Sequence, residues 1–175
     1  QLLLTAELVE LQRPLLLILN MVDEAEDRGL RVDAQALSLQ LGVPVVPMVA
    51  RKGRGLRELR MALRSALRSP SLPQRPAWPA DLEAALHDFA AQIDGARGRF
   101  LAWQYLELPE STPQALLAAR ASAAQHLQAD SAEDLADLLP AARFTWAARL
   151  AAQVIVSGGK AGWRQRLTRH LDRWI

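Results

Sequence analysis

The fold is decided by residues 15–23, which read LLLILNMVD. The stretch opens with five consecutive apolar residues, a pattern typical of a strand buried on both faces of a parallel sheet. An Asn-x-x-Asp follows the strand directly. Open α/β sheets bind their ligands at the carboxyl ends of their strands. The stretch therefore predicts an α/β fold with a ligand site beside Asn20 and Asp23.

The residues on either side predict the rest of a partial, doubly wound parallel sheet. Gly29 ends a short helix, and Asp33 begins another that stops at Gly42. Residues 51–55 form a glycine-rich loop. The order α-β-α-α-β-α is that of a doubly wound sheet. The predicted elements are helix 1–11, strand 15–19, helix 24–28, helix 34–41, strand 43–49 and helix 56–68.

The composition changes after this α/β part. Residues 69–79 contain four prolines and predict a semi-rigid linker. No strand pattern appears beyond it, and Pro140 is expected to break or kink one of the helices. Trp78, Trp103 and Trp146 are expected to anchor the core. The predicted helices are 81–93, 97–108, 113–127, 132–156 and 163–175. We therefore predict an α/β part over 1–69, a Pro-rich linker over 70–79, and a separate all-α bundle over 80–175.

Composition narrows the class of protein. The chain has 175 residues, 50% of them hydrophobic, which is enough for one ordinary domain or two small ones. It has no cysteine, which excludes disulfides and thiolate metal sites. A net charge of +2 is too small to indicate a nucleic-acid partner. The longest apolar run falls short of the roughly 20 residues of a membrane helix, so we expect the chain itself to be soluble.

Asn20 and Asp23 are suited to a guanine base. A carboxylate accepts two hydrogen bonds side by side, which matches the N1–H and N2–H donors of guanine. Adenine lacks this pair of donors and would leave the carboxylate unpaired, so discrimination would be strong. Asn20 would brace the neighbouring loops and reach the base. The same two residues could instead form a plain turn that caps the next helix.

A second loop is expected at the adjacent point of the same sheet edge. Val49-Ala50-Arg51 ends the next strand, and the small side chain of Ala50 would let a backbone N–H approach guanine O6 while its neighbours flank the base. The glycines that follow could also serve an ordinary strand-to-helix turn. Together the two loops favour a guanine pocket. Its candidate residues are Asn20, Met21, Asp23, Val49, Ala50 and Arg51.

Three stretches resemble the family of ferrous iron transport protein B. Residues 19–26, LNMVDEAE, are similar to its LNMxDEAE stretch, residues 37–47, LSLQLGVPVVP, to its LSxxLGVPVVP, and residues 49–56, VARKGRGL, to its VSxxGxGI loop. Met21 stands where most regulatory and translational GTPases carry Lys. Ala50 stands where Ser or Thr is often found, so one hydroxyl near the base is absent. The resemblance is strong before the linker and weak in the helical part.

The resemblance implies a part of a GTP-dependent ferrous iron transporter. Residues 1–69 would be the C-terminal part of a G domain, an incomplete GTPase domain that binds GTP or GDP, and the helical part would couple its nucleotide state to a membrane pore. The implied partners are the missing N-terminal half of the G domain and the missing C-terminal pore. The implied location is the cytoplasmic face of the inner membrane. Mg²⁺ is expected in the complete protein only.

Features of an active GTPase or a metalloenzyme are absent from the sequence. It contains no G-x-x-x-x-G-K-[ST] phosphate loop, and Gly158-Gly159-Lys160 lacks the required spacing and the Ser or Thr. Phosphoryl transfer depends on that phosphate cradle. We therefore expect no catalytic residue here and no GTP hydrolysis by this chain alone. The histidines lack metal-ligand spacing, and no metal site is predicted.

Two other functions stay open. The chain could be part of a different soluble GTPase, such as a ribosome-assembly G protein, although Met21 and the helical part argue against this. It could also be a helical interaction module on an α/β scaffold that binds no nucleotide. The basic helix predicted over 163–175 would lie beside anionic lipid if the resemblance holds.

Overall fold

The computed structural model describes residues 2–95, 97–129 and 135–157. The described part has an α/β segment followed by helices, which confirms the predicted fold class. Its helices are α1 (Leu2–Glu10), α2 (Val22–Asp27), α3 (Ala34–Leu41), α4 (Leu56–Arg68), α5 (Ala80–Ala90), α6 (Gly98–Glu107), α7 (Leu117–Ala129) and α8 (Leu135–Val154). Its strands are β1 (Leu17–Leu19), β2 (Leu30–Val32), β3 (Val45–Pro47) and β4 (Ile155–Ser157). The helix predicted over 163–175 lies outside the described residues.

The predicted parallel pair of strands is present. Strand β1 pairs with β3, with Leu17 opposite Val45 and Leu19 opposite Pro47. Helix α3 returns the chain between them, and it begins and ends at its predicted residues. The Oδ1 atom of Asp33 accepts hydrogen bonds from the first-turn amides of α3, and Gly42 ends the helix in a left-handed conformation with φ of 66°.

Strand β1 is not buried on both faces, contrary to the prediction. Leu17 and Leu19 pack against an apolar cluster that includes Val9 and Leu37. Ile18, which alternates with them, is 44% exposed. Successive side chains of a strand point to opposite faces of its sheet, and within the described residues the second face stays open at Ile18. The apolar run correctly predicts a strand, but the described residues cover only one of its two faces.

Strands β2 and β4 were not predicted. They pair antiparallel, with Arg31 opposite Val156. Each is three residues long, too short for an alternating pattern to appear in the sequence. Strand β4 also follows α8 without a break, so its residues extend a helical pattern. The expectation that no strand follows the linker is therefore wrong, because β4 depends on pairing with a distant segment.

The helical part is built around aromatic residues, as expected. Trp78 and Trp103 are 7% and 3% exposed, and their ring centroids lie 4.8 Å apart. Trp146 lies 6.2 Å from Trp78. Helix α8 continues through Pro140, so the predicted break is absent. A proline removes one backbone hydrogen bond, but the adjacent Leu139 is fully buried and its packing supports the helix there.

The helical part is not physically separate from the sheet, which corrects that expectation. Leu150 and Val154 of α8 share an apolar core with Val9 and Leu37. Ala6 of α1 lies in the other core, among the side chains of the helical part. The proline-rich segment 69–79 is docked as well, because the Gln74 N–H donates to a carbonyl of α3 at 2.8 Å. The boundaries at 69 and 79 stay a prediction.

Candidate functional site

Asn20 joins the two loops predicted to form the site. It follows the last residue of β1, and its Oδ1 atom accepts a hydrogen bond from the backbone N–H of Ala50 at 3.0 Å. The Met48 N–H donates to Leu19 O at 2.8 Å and extends the pairing of the strands to this point. Asn20 therefore braces the loop after β3, as predicted. The Ala50 N–H, expected to face a ligand oxygen, is already paired with Asn20.

Met21 turns the chain from strand into helix. Its φ of 63° and ψ of 34° place it in the left-handed region, which is uncommon for a residue other than glycine. Its carbonyl accepts hydrogen bonds from the amides of Glu24 and Ala25. Its side chain is 50% exposed beside Asn20. The turn at Met21 allows α2 to begin at Val22 and places Asp23 in the first turn of that helix.

Asp23 is held by three donors. Its Oδ1 atom accepts from the Glu24 N–H at 3.1 Å. Its Oδ2 atom accepts from Arg51 Nη2 at 3.0 Å and from Lys52 Nζ at 2.8 Å. The Asp23 side chain is 13% exposed, whereas those of Arg51 and Lys52 are 64% and 60% exposed. A well-shielded carboxylate is thus covered by two cations that themselves lie in water.

These contacts favour the charged form of the carboxylate. The hydrogen bond from Lys52 does most to lower the pKa of Asp23 below its usual range, and the hydrogen bond from Arg51 comes next. Partial removal from water raises the pKa, but by less. Asp23 in turn raises the pKa of Arg51. The site therefore presents an ionised acceptor at neutral pH.

The loop after β3 is held by its backbone. The Val49 N–H donates to Arg54 O at 3.0 Å, and one turn of 3-10 helix spans Ala50–Lys52. Gly55 has a φ of 89°, and a Cβ atom there would lie 2.5 Å from Pro47 O. A side chain at this position would push the loop away from the strand. The glycine therefore sets the distance between the loop and the end of β3.

The structure brings together most of the predicted residues. Asn20, Asp23, Ala50 and Arg51 are joined by direct hydrogen bonds. Val49 is 1% exposed, so its side chain belongs to the core and does not flank an open pocket. The prediction missed Lys52, although it makes the shortest contact to Asp23. Two adjacent cations after the second strand, facing a carboxylate after the first, were the signal that could have identified it.

The described part of the chain contains neither a metal-binding cluster nor a membrane-spanning helix. No group of three or more histidine, aspartate or glutamate side chains there could hold a metal ion. Among the helices that the structure describes, none has both the length and the apolar character needed to cross a membrane.

The part of the chain that contains these loops is similar to known proteins. The family model described as ferrous iron transport protein B matches residues 1–63. The Fe(2+) transporter FeoB of Salmonella typhimurium is 48% identical over 60 residues, which cover 34% of this chain and 8% of the relative. The transporter of the same name from Escherichia coli K12 is 45% identical over the same shares. The matched region thus spans a small fraction of the length of these relatives.

Solved structures share the fold over most of the chain. A GDP-bound mutant of the S. thermophilus FeoB G-domain superposes with a TM-score of 0.77 at 23% identity, over 89% of this chain and 64% of that one. The cytosolic domain of L. pneumophila FeoB gives a TM-score of 0.67 at 23% identity, over 89% and 62%. At this identity the likeness establishes the fold, and it extends beyond the matched residues into the helical part.

Proposed function

We propose that this chain is the guanine-recognising part of a GTP-dependent Fe²⁺ transporter, on the premise that residues 1–63, which match the family model of ferrous iron transport protein B, belong to that family. The observation that carries the proposal is the meeting of Asn20 and Asp23 with the Ala50 loop at the carboxyl ends of two parallel strands. Ligands of open α/β sheets bind at such a position.

Asp23 supplies the discrimination between bases in this proposal. Its carboxylate accepts the N1–H and N2–H donors of guanine, and its low pKa keeps both oxygens free of protons. Asn20 holds the Ala50 loop against the end of β1, so the loop lies along one side of the base. Met21 and Arg51, both exposed, flank the base plane.

The phosphates and Mg²⁺ would be held by another part of the G domain. The open face of the sheet supports this proposal, because Ile18 of β1 is 44% exposed. Helix α4 also exposes apolar side chains, with Leu63 at 50% and Leu67 at 76%. Exposed apolar surface of this kind marks a packing site. We propose that the N-terminal half of the G domain covers both surfaces. The whole protein would work at the cytoplasmic face of the inner membrane, joined to a pore.

Helix α1 supports a coupling role for the helical part. It leads into β1, which ends one residue before Asn20, and its Glu7 and Glu10 contact the helical part. Arg143 of α8 contacts Glu7 at 3.2 Å and binds Glu107 with both terminal nitrogens. Its guanidinium also lies 4.7 Å from the ring centroid of Trp103. A shift of α1 on nucleotide binding would therefore move the helical part, which would relay the nucleotide state to the pore.

Base recognition can be tested on this chain by nuclear magnetic resonance. GDP, inosine diphosphate and ADP are titrated into the labelled protein at millimolar concentrations. Inosine diphosphate lacks the N2 amino group and should bind roughly tenfold more weakly than GDP, because one charge-assisted hydrogen bond is lost. Shifts should centre on Asn20, Asp23 and Ala50. Equal binding of all three nucleotides, or none, contradicts the proposal, and the absence of binding favours an interaction module.

Coupling requires the complete transporter. Glu7→Gln weakens the contact with Arg143 and leaves the base site untouched. Iron uptake should fall while GDP affinity stays unchanged. Glu110→Gln, which removes one charge from an exposed position outside α1 and α4, serves as the control. Equal losses of uptake and of GDP affinity would mean that α1 belongs to the nucleotide site itself.

A further inference from the structure

We infer that Lys52 and Arg51 compete with the guanine base for Asp23, so that they set the affinity of the site. The inference rests on the proposed function and concerns the same site. Both cations bind the carboxylate oxygen that one of the base donors requires. A base can form its pair of hydrogen bonds only after these contacts loosen.

The geometry of Asp23 leaves little acceptor capacity for a ligand. Each carboxylate oxygen offers about two lone-pair positions. The Oδ2 atom already accepts from two cationic donors, at 2.8 and 3.0 Å. The Oδ1 atom accepts from the Glu24 N–H, which belongs to the helix and stays in place. The two N–H groups of guanine need one acceptor on each oxygen, so Oδ2 must give up a cation.

The exposure of the two cations makes this exchange feasible. The side chains of Arg51 and Lys52 are more than half exposed, so each can return to water without losing buried contacts. Exposed ion pairs of this kind change an equilibrium by roughly 1.5- to 5-fold. Lys52→Ala should therefore strengthen base binding by about 2- to 5-fold.

The same loop offers a matched control. Arg54 carries the same charge and is also 60% exposed, but it pairs with Glu26 at 3.6 Å and has no contact with Asp23. Arg54→Ala removes one positive charge from the loop and leaves the Asp23 contacts intact. Its backbone carbonyl still accepts from Val49, so the loop keeps its shape. Arg54→Ala therefore reports the effect of losing a positive charge from the loop, whereas Lys52→Ala also removes the competition for Asp23.

The experiment uses guanosine, which carries no charge, so that attraction between the loop and phosphate groups plays no part. Affinities are measured by nuclear magnetic resonance titration of wild type, Lys52→Ala, Arg54→Ala and Asp23→Asn at about 50 mM and about 500 mM salt. Salt weakens exposed ion pairs. Wild type should therefore bind guanosine more tightly at high salt, and Lys52→Ala should bind more tightly at low salt with a smaller salt response. Arg54→Ala should match wild type.

The possible outcomes separate this inference from the proposed function. Binding that Asp23→Asn abolishes, but that neither Lys52→Ala nor salt changes, overturns the competition and leaves guanine recognition standing. Weaker binding by Lys52→Ala also overturns it, because Lys52 would then contact the base. If Lys52→Ala binds guanosine and wild type does not, the result supports the competition. If neither wild type nor Lys52→Ala binds guanosine, both proposals are wrong.

Discussion

The carboxylate of Glu10 accepts a hydrogen bond from Trp78 Nε1 at 2.7 Å, although 68 residues separate the two in the chain. Glu10 is 5% exposed and Trp78 is 7% exposed. The second oxygen of Glu10 accepts from Arg99 Nε at 2.9 Å, and Arg99 also binds Glu83. A charge on α1 is thus placed inside the helical part. Buried charges persist only where partners of this kind compensate them.

Removal of Glu10 should destabilise the protein strongly. Glu10→Ala leaves the indole N–H of Trp78 without its acceptor and Arg99 with only Glu83. Breaking a buried pair from one side costs about 3–5 kcal/mol. The free energy of unfolding in urea should fall by about that amount. Glu110→Ala, at an exposed position, should change it by no more than about 0.5 kcal/mol. A similar small change in both variants would show that the α1 network contributes no stability.

Alanine substitutions at Gly55 and Gly53 distinguish the cost of a steric clash from the cost of backbone strain. Both have positive φ, 89° and 68°, so alanine is strained at either position. An added Cβ meets Pro47 O at 2.5 Å at Gly55 but nothing within 4 Å at Gly53. Gly53→Ala should cost about 1–2 kcal/mol. Gly55→Ala should cost distinctly more in urea unfolding, and should shift the amide resonance of Ala50. Equal costs would show that the loop can move away from β3.

Helix α3 should depend on its cap. The Oδ1 atom of Asp33 accepts hydrogen bonds from the amides of Gln35 and Ala36, both at 2.9 Å. Asp33→Ala should lower the free energy of unfolding by about 1 kcal/mol, whereas Asp33→Ser should lower it by only a few tenths. Thermal unfolding followed by circular dichroism measures both. If the serine variant is as unstable as the alanine variant, the negative charge matters more than the hydrogen bonds.

Asp23 should link stability to pH in acid. Lys52, and then Arg51, lower its pKa in the folded state from the ordinary value of 3.8. Its contribution to stability is therefore complete above about pH 5 and is lost as the pH falls toward the lower, folded-state pKa, since the unfolded chain binds the proton first. The stability difference between wild type and Asp23→Asn should shrink over that range. A carboxyl-carbon titration of Asp23 gives the direct check, and Lys52→Ala should bring its pKa nearer to the ordinary value.

Local signals in the sequence were enough to determine much of this protein. Asp33 and Gly42 mark the ends of α3 because capping involves only neighbouring backbone groups. The apolar runs identified β1 and β3, and the Asn-x-x-Asp after the first of them located the candidate site. Parallel strands end at one sheet edge, so the meeting of Asn20 with the Ala50 loop followed from the strand pattern.

Tertiary structure alone decided which surfaces are closed and which charges meet. Strand β4 exists because β2 pairs with it, and a segment of three residues is too short for its sequence to predict a strand. The contact of Lys52 with Asp23 depends on how closely the loop approaches the end of β3. Gly55 sets that distance, because it has no side chain to push the loop away. Ile18 looks like a core residue in the sequence, yet its burial depends on what covers the sheet. Hydrophobicity specifies that a side chain should be buried, whereas only the packing of distant segments supplies the neighbour that buries it.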